Sequence, residues 1–144
     1  MSKPVVSVII YSLYGHIKTL ADAIVRGVEA GGATAKLVRV PETLPDDVIA
    51  KMHGAKFEDI PLATLDDLTG ADGYLFGIPT RFGTAPAQVK TFWDSTGKLW
   101  ATGALAGKYA GVFTSTGGQH AGTETTILTF LPNLAHHGII FVPL

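Results

Sequence analysis

Val5-Val6-Ser7-Val8-Ile9-Ile10-Tyr11-Ser12-Leu13-Tyr14-Gly15-His16-Ile17 decides the fold. The run Val5–Tyr11 is almost continuously apolar and rich in β-branched residues, as in a strand covered on both faces. Ser12 to Gly15 break the run. From His16 to Glu29 the period changes, and Ile17, Leu20, Ala21, Ile24, Val25 and Val28 fall on one stripe of a helix. Gly31-Gly32 stops it. The first amides of such a helix have no partner within it, and its dipole is positive at that end. A strand, a short polar loop and a helix N-terminus therefore make a ready phosphate site. Ser12 adds a hydroxyl, and Gly15 lets backbone come close to a ligand.

Four further apolar runs follow at Ala35–Val40, Gly73–Ile78, Tyr109–Thr114 and Gly138–Val142. Helical patterns lie between them. Pro45–Met52 reads as a short helix and Leu65–Leu68 as a turn of one. Pro86–Trp93 opens on a proline, which a first turn accepts. Thr123–Leu134 turns Ile127, Phe130, Leu131 and Leu134 inward, with Pro132 working against regularity near its end. Gly54 to Thr64 is loop-like. This alternation predicts an α/β fold: a doubly wound, five-stranded parallel sheet between two helical layers, with right-handed crossovers. The sequence stops straight after the fifth strand, where a final helix is expected to cover the sheet beside the first helix. Part of that face is expected to be bare, and the single domain over residues 1–144 to be C-terminally incomplete.

Composition narrows the function. The chain has 144 residues, 47% hydrophobic and 16% charged, enough for one domain with a real core. Its formal net charge is -1, so it has no strong field for nucleic acid or an anionic membrane. It has no cysteine, which excludes disulfides, thiol nucleophiles and thiolate metal sites. No signal peptide or transmembrane stretch is visible, and a cytoplasmic protein is expected. The adjacent His136-His137 has no acidic partner nearby in sequence, so no metal site is expected.

In an open parallel sheet, ligands bind beyond the carboxyl ends of the strands. Three loops leave such ends. They are Ser12–Ile17, Pro79-Thr80-Arg81-Phe82-Gly83, and Ser115-Thr116-Gly117-Gly118-Gln119-His120-Ala121-Gly122. They offer phosphate donors, a cation beside an aromatic ring, and glycine-rich backbone with hydroxyls. Each alone is an ordinary connection. Together they suit a ligand with a phosphate at one end and a flat polar ring at the other. No Gly-x-Gly-x-x-Gly, Gly-Lys-Ser/Thr or Gly-x-Ser-x-Gly signature competes.

At these residues the chain resembles the flavodoxin-like NAD(P)H:quinone oxidoreductases of the tryptophan-repressor-binding-protein type, and leans towards the fungal benzoquinone reductases and yeast flavodoxin-like stress proteins. The markers include Ser12–Ile17, Val40-Pro41-Glu42-Thr43-Leu44, Phe76–Gly83, Phe92–Gly97, Ser115-Thr116-Gly117 and Leu134–Gly138. The resemblance implies a flavodoxin-like fold and FMN as cofactor. It assigns the phosphate to Ser12, Leu13, Tyr14, Gly15, His16 and Ile17. Pro79, Thr80, Arg81, Phe82 and Gly83 would line the isoalloxazine, and Ser115, Thr116, Gly117 and Gly118 its other edge and the ribityl chain. His136 is implied to approach the flavin and, with Arg81, to act in catalysis. Tyr14 is implied at the nicotinamide and Trp100 in a wall of the substrate pocket.

The implied reaction is two-electron reduction of a quinone by NAD(P)H, in ping-pong hydride transfers through flavin N5. A homo-oligomer, dimer or tetramer, would finish the pocket with neighbouring subunits. The third loop departs from the family pattern at His120 and Thr123, and the family continues past the fifth strand. Two other readings compete: a flavodoxin-type electron carrier, which the near-neutral charge disfavours, and a weakly catalytic scaffold at an oligomer contact or on a membrane-associated assembly.

Overall fold

The computed structural model describes residues 2–143. Five strands form one parallel sheet: β1 (Val5–Ile10), β2 (Thr34–Arg39), β3 (Gly73–Pro79), β4 (Tyr109–Ser115) and β5 (Ile140–Phe141). Their spatial order is β2-β1-β3-β4-β5. The direction of winding reverses between β1 and β3, which places a crevice at their carboxyl ends.

Six helices connect the strands: α1 (His16–Ala30), α2 (Asp46–Lys51), α3 (Asp66–Thr69), α4 (Ala87–Asp94), α5 (Gly97–Ala101) and α6 (Thr123–His136). The pleat divides the core between two faces. Val8 and Ile10 turn to α1, where Ile17 and Ala21 meet them in one cluster. Ile9, Tyr74, Phe76, Ile78 and Val112 turn the other way, onto Leu68, Phe92, Trp93, Leu99, Phe130 and Leu134 of the remaining helices. Phe76, Trp93 and Phe130 pack mutually, with centroids 5.4–5.7 Å apart.

The face carrying α1 is only half covered. Val6, Leu75, Phe113, Tyr109 and Val142 of the sheet, with Ile24 and Val28 of α1, line an apolar groove. This is the bare face the sequence predicts, and among the described residues no helix follows β5.

Four details differ from the sequence reading. β5 is shorter than Gly138–Val142 because it is an edge strand, paired only with β4 through Tyr109↔Ile140 and Ala110↔Phe141. Helix α5 is an extra element that follows Thr96. Helix α6 runs through Pro132 to His136, and that proline lies on its exposed side, where water can meet the carbonyl it frees. Leu20, assigned to the inward stripe of α1, is exposed.

Candidate active site

The loops after β1, β3 and β4 stand side by side, because those strands are neighbours in the sheet. Backbone hydrogen bonds lace their bases together. The Tyr11 N–H donates to the Gly77 carbonyl at 3.0 Å, and the Thr80 N–H to the Ser115 carbonyl at 3.0 Å.

The first loop ends on Gly15, the N-cap of α1, at φ 91°. That left-handed backbone favours glycine. No side chain caps the helix, so its first amides remain open to a ligand. The Gly15 N–H donates to Ser12 Oγ at 3.1 Å, which turns the loop and leaves the hydroxyl proton free to donate outward. A narrow cleft joins Ser12, Leu13, Tyr14, His16 and Ile17 to Pro79, Arg81 and Ser115. One cleft thus touches all three loops. Tyr14 is exposed at its mouth.

The second loop is a tight hairpin. Arg81 and Thr84 exchange backbone hydrogen bonds of 2.7 and 3.1 Å. The two residues between them, Phe82 and Gly83, both have positive φ, 54° and 83°. A two-residue hairpin needs that geometry, but for Phe82 it costs roughly 1–2 kcal/mol. The phenyl ring gains no burial in return, since it is fully exposed. Thr80 braces the turn: its Oγ1 accepts the Gly83 N–H at 3.1 Å and the Thr126 hydroxyl at 2.8 Å. Arg81 is partly buried and donates from its guanidinium to the Thr80 carbonyl at 2.8 Å.

The third loop runs into Gly122, the N-cap of α6, at φ 90° and again without a side-chain cap. Thr116 Oγ1 donates to the Gly118 carbonyl at 2.9 Å. A Cβ added at Gly117 or Gly118 would meet nothing within 4 Å, so the protein's own packing does not require glycine there. At Gly122 it would come within 3.5 Å of Gly83 Cα, where the second and third loops touch.

Two residues implicated by resemblance lie elsewhere. Helix α6 starts at the carboxyl edge of the sheet and runs back about 20 Å, at 1.5 Å per residue, to His136 at its last position. Trp100 sits on α5, four residues after Thr96, whose Oγ1 is 2.8 Å from His137 Nε2. Both side chains are exposed at the amino edge. Within one chain neither lies beside the three loops.

Sequence reasoning passed over one feature of the carboxyl edge. Glu42, after β2, accepts hydrogen bonds from Tyr11 and Gln88, 31 and 46 residues away.

Comparison with known proteins agrees with this architecture. Residues 6–144 match the family of NADPH-dependent FMN reductases. The chain is 60% identical over 141 residues to the NAD(P)H quinone oxidoreductase PST3 of Candida albicans, covering 98% of this chain and 71% of the relative. It is 52% identical over 140 residues to the quinone-oxidoreductase QR2 of Triphysaria versicolor, covering 96% of this chain and 68% of that protein. Among solved structures, a WrbA-like flavodoxin from Agrobacterium tumefaciens superposes with a TM-score of 0.73 at 25% identity, covering 97% of this chain and 77% of that one. The chain belongs to the NADPH-dependent FMN reductase family, in a flavodoxin-like fold.

Proposed function

We propose that the chain is an FMN-dependent NAD(P)H:quinone oxidoreductase whose cofactor lies across the ends of β1, β3 and β4. The observation that carries this is the convergence of three loops whose donors are left unspent: uncapped amides at α1, a partly buried guanidinium at Arg81, and open backbone at Gly117 and Gly118. Relatives 60% and 52% identical bear the name of quinone oxidoreductases.

The residues fit the group. The amides of α1 and the Ser12 hydroxyl suit a phosphate dianion. When bound, FMN supplies the two-electron hydride exchange between a nicotinamide and a quinone. The protein contributes position and charge. Arg81 sets a permanent cation where a flavin ring gains negative charge on reduction. Phe82 presents a bare ring face at the tip of the hairpin. Tyr14, at the mouth, is available to a nicotinamide.

His136 and Trp100 serve this pocket from a second copy of the chain, because both are exposed at the opposite edge of their own. A homo-oligomer, dimer or tetramer, is therefore the working form, and His136 then donates a proton to the quinone oxygen. Among the described residues no helix is long and apolar enough to cross a membrane. We assign the enzyme to the cytoplasm.

The test is NADH or NADPH oxidation by the purified protein, with and without benzoquinone and with and without added FMN. The reading expects turnover that requires both. Quinone turnover undiminished after FMN is stripped from the protein would refute it.

A further inference from the structure

Glu42 belongs to none of the three loops, yet it gathers four hydrogen bonds. Its Oε1 accepts the backbone N–H of Thr43 at 2.8 Å, the backbone N–H of Leu44 at 3.0 Å and the Gln88 amide at 2.7 Å. Its Oε2 accepts the Tyr11 hydroxyl at 2.7 Å. Two of these donors reach it from other strand ends. Tyr11 follows β1 and directly precedes Ser12, and Gln88 lies in the first turn of α4, just beyond the Arg81 hairpin.

Tyr11 and Gln88 are buried, at 4% and 7% exposure, and each turns its polar end to the carboxylate of Glu42. Burial alone would raise the Glu42 pKa, but the bonds from Leu44, Gln88, Tyr11 and Thr43 outweigh it and keep the carboxyl below the ordinary glutamate range. A charged acceptor is therefore present at neutral pH, and charged acceptors make the stronger hydrogen bonds. The Tyr11 ring packs with Ile9, Leu13 and Val40, and phenylalanine would pack there equally well. Packing thus accounts for the ring and leaves the hydroxyl to be explained by Glu42.

We propose that Glu42 and Tyr11 are positioning residues that fix the backbone from which the Ser12–Gly15 loop springs, and that this bond confers preference for the phosphate-bearing flavin over its phosphate-free counterpart. This rests on the cofactor placement proposed above. Tyr11 is held twice, by its N–H on the Gly77 carbonyl and by its hydroxyl on Glu42. Its neighbour Ser12 therefore leaves the sheet at a set angle, with Oγ in place under the Gly15 N–H. Without the second hold, the strand end can roll about its axis, and the donors beyond it spread over more orientations. Only the phosphate end of the ligand depends on those donors.

The test compares FMN with riboflavin, which lacks the phosphate, by titrating apoprotein and following the quenching of flavin fluorescence. Tyr11→Phe is expected to reduce the preference for FMN about tenfold, the order of a hydrogen bond to a charged group, while riboflavin binding stays within about twofold. Glu42→Gln should reduce it too. Removing a negative charge would by itself favour a phosphate, so a fall there has only a positional cause. Gln88→Met cuts the other arm, leaves the Tyr11 bond in place, and should retain the preference.

An equal weakening of both flavins in Tyr11→Phe, or an unchanged ratio in Glu42→Gln, would overturn the proposal and leave the tie as a fold staple. A wild-type protein that binds riboflavin as tightly as FMN would overturn the phosphate site itself, and with it this inference. That failure shows before any variant is made.

Discussion

The carboxyl and amino edges of the sheet are built on opposite plans. At the carboxyl edge donors are open: neither α1 nor α6 has a side-chain cap, and the second loop holds one non-glycine residue, Phe82, at positive φ. At the amino edge one ammonium is fully engaged. Lys108 Nζ donates to the carbonyls of Leu68, Thr69 and Ala71 at 3.1, 2.7 and 2.5 Å. Those carbonyls close the short helix α3 and the turn into β3, so one ammonium ties the start of β4 to the start of β3. Nearby, the His137 ring lies tilted against Trp93 at 5.2 Å and its Nε2 contacts Thr96, while its Nδ1 has no partner. The tied edge holds the strands together, and the other edge can then keep its donors for a ligand.

The contrast can be broken most severely at Arg81. Arg81→Ala removes the single cation of the second loop, and kcat/KM for quinone should fall about a hundredfold, the scale of one lost electrostatic stabiliser. Its thermal midpoint should hardly move, since Arg81 makes one side-chain hydrogen bond, to its own neighbour's carbonyl.

Lys108→Met is the mirror experiment. The Thr69 and Ala71 carbonyls lose their side-chain donor, while that of Leu68 keeps the Tyr74 hydroxyl, and stability should fall by roughly 1–3 kcal/mol in a denaturant titration. FMN affinity should stay as it is. If FMN binding falls with stability, the two edges are not independent.

Phe82→Gly probes the strain itself. Glycine adopts positive φ freely, so the variant should gain up to about 1 kcal/mol of stability while losing flavin affinity. A variant that loses both would mean that the ring stabilises the fold, contrary to its full exposure.

The smallest effect belongs to pH. Burial, helped by the neighbouring His136, holds the His137 pKa below the usual histidine value. Above the unfolded value both states are neutral and stability is full. As pH falls through that value the unfolded chain takes up the proton first, so stability declines until the folded pKa is passed. His137→Gln should remove this slope just below pH ~6.5. Acidic Asp67 acts in a lower window. Burial would raise its pKa, but Lys36 and Thr64 outweigh that and lower it, so its contribution is lost only as pH falls below the ordinary aspartate range.

The sheet and its crevice were legible in the sequence because they rest on local period changes. The switch from the continuous run Val5–Tyr11 to the stripe Ile17–Val28 marks strand, loop and helix within 25 residues. The two short elements were harder. Gly97 opens α5 and weakens any helical signal, although Thr96 before it is a fair capping residue. β5 reads as a buried strand because Ile139-Ile140-Phe141-Val142 is apolar, but among the described residues it pairs with Tyr109 and Ala110 of β4 alone.

The site divided along the same line. Its three loops follow directly from strand ends. His136 and Trp100 were legible as residue types, but a motif does not state which end of a helix carries them; α6 runs away from the carboxyl edge and ends at His136. The Glu42 tie was invisible, since its partners Tyr11 and Gln88 meet it only through the tertiary fold.

The most direct test of the central claim is hydrogen–deuterium exchange of the full chain with and without saturating FMN. The account predicts slowed exchange in residues 12–19, 81–84 and 115–118, with Lys108 and the rest of the turn into β4 unchanged. Protection confined to the amino edge, or absent from all three loops while FMN is bound, would contradict it.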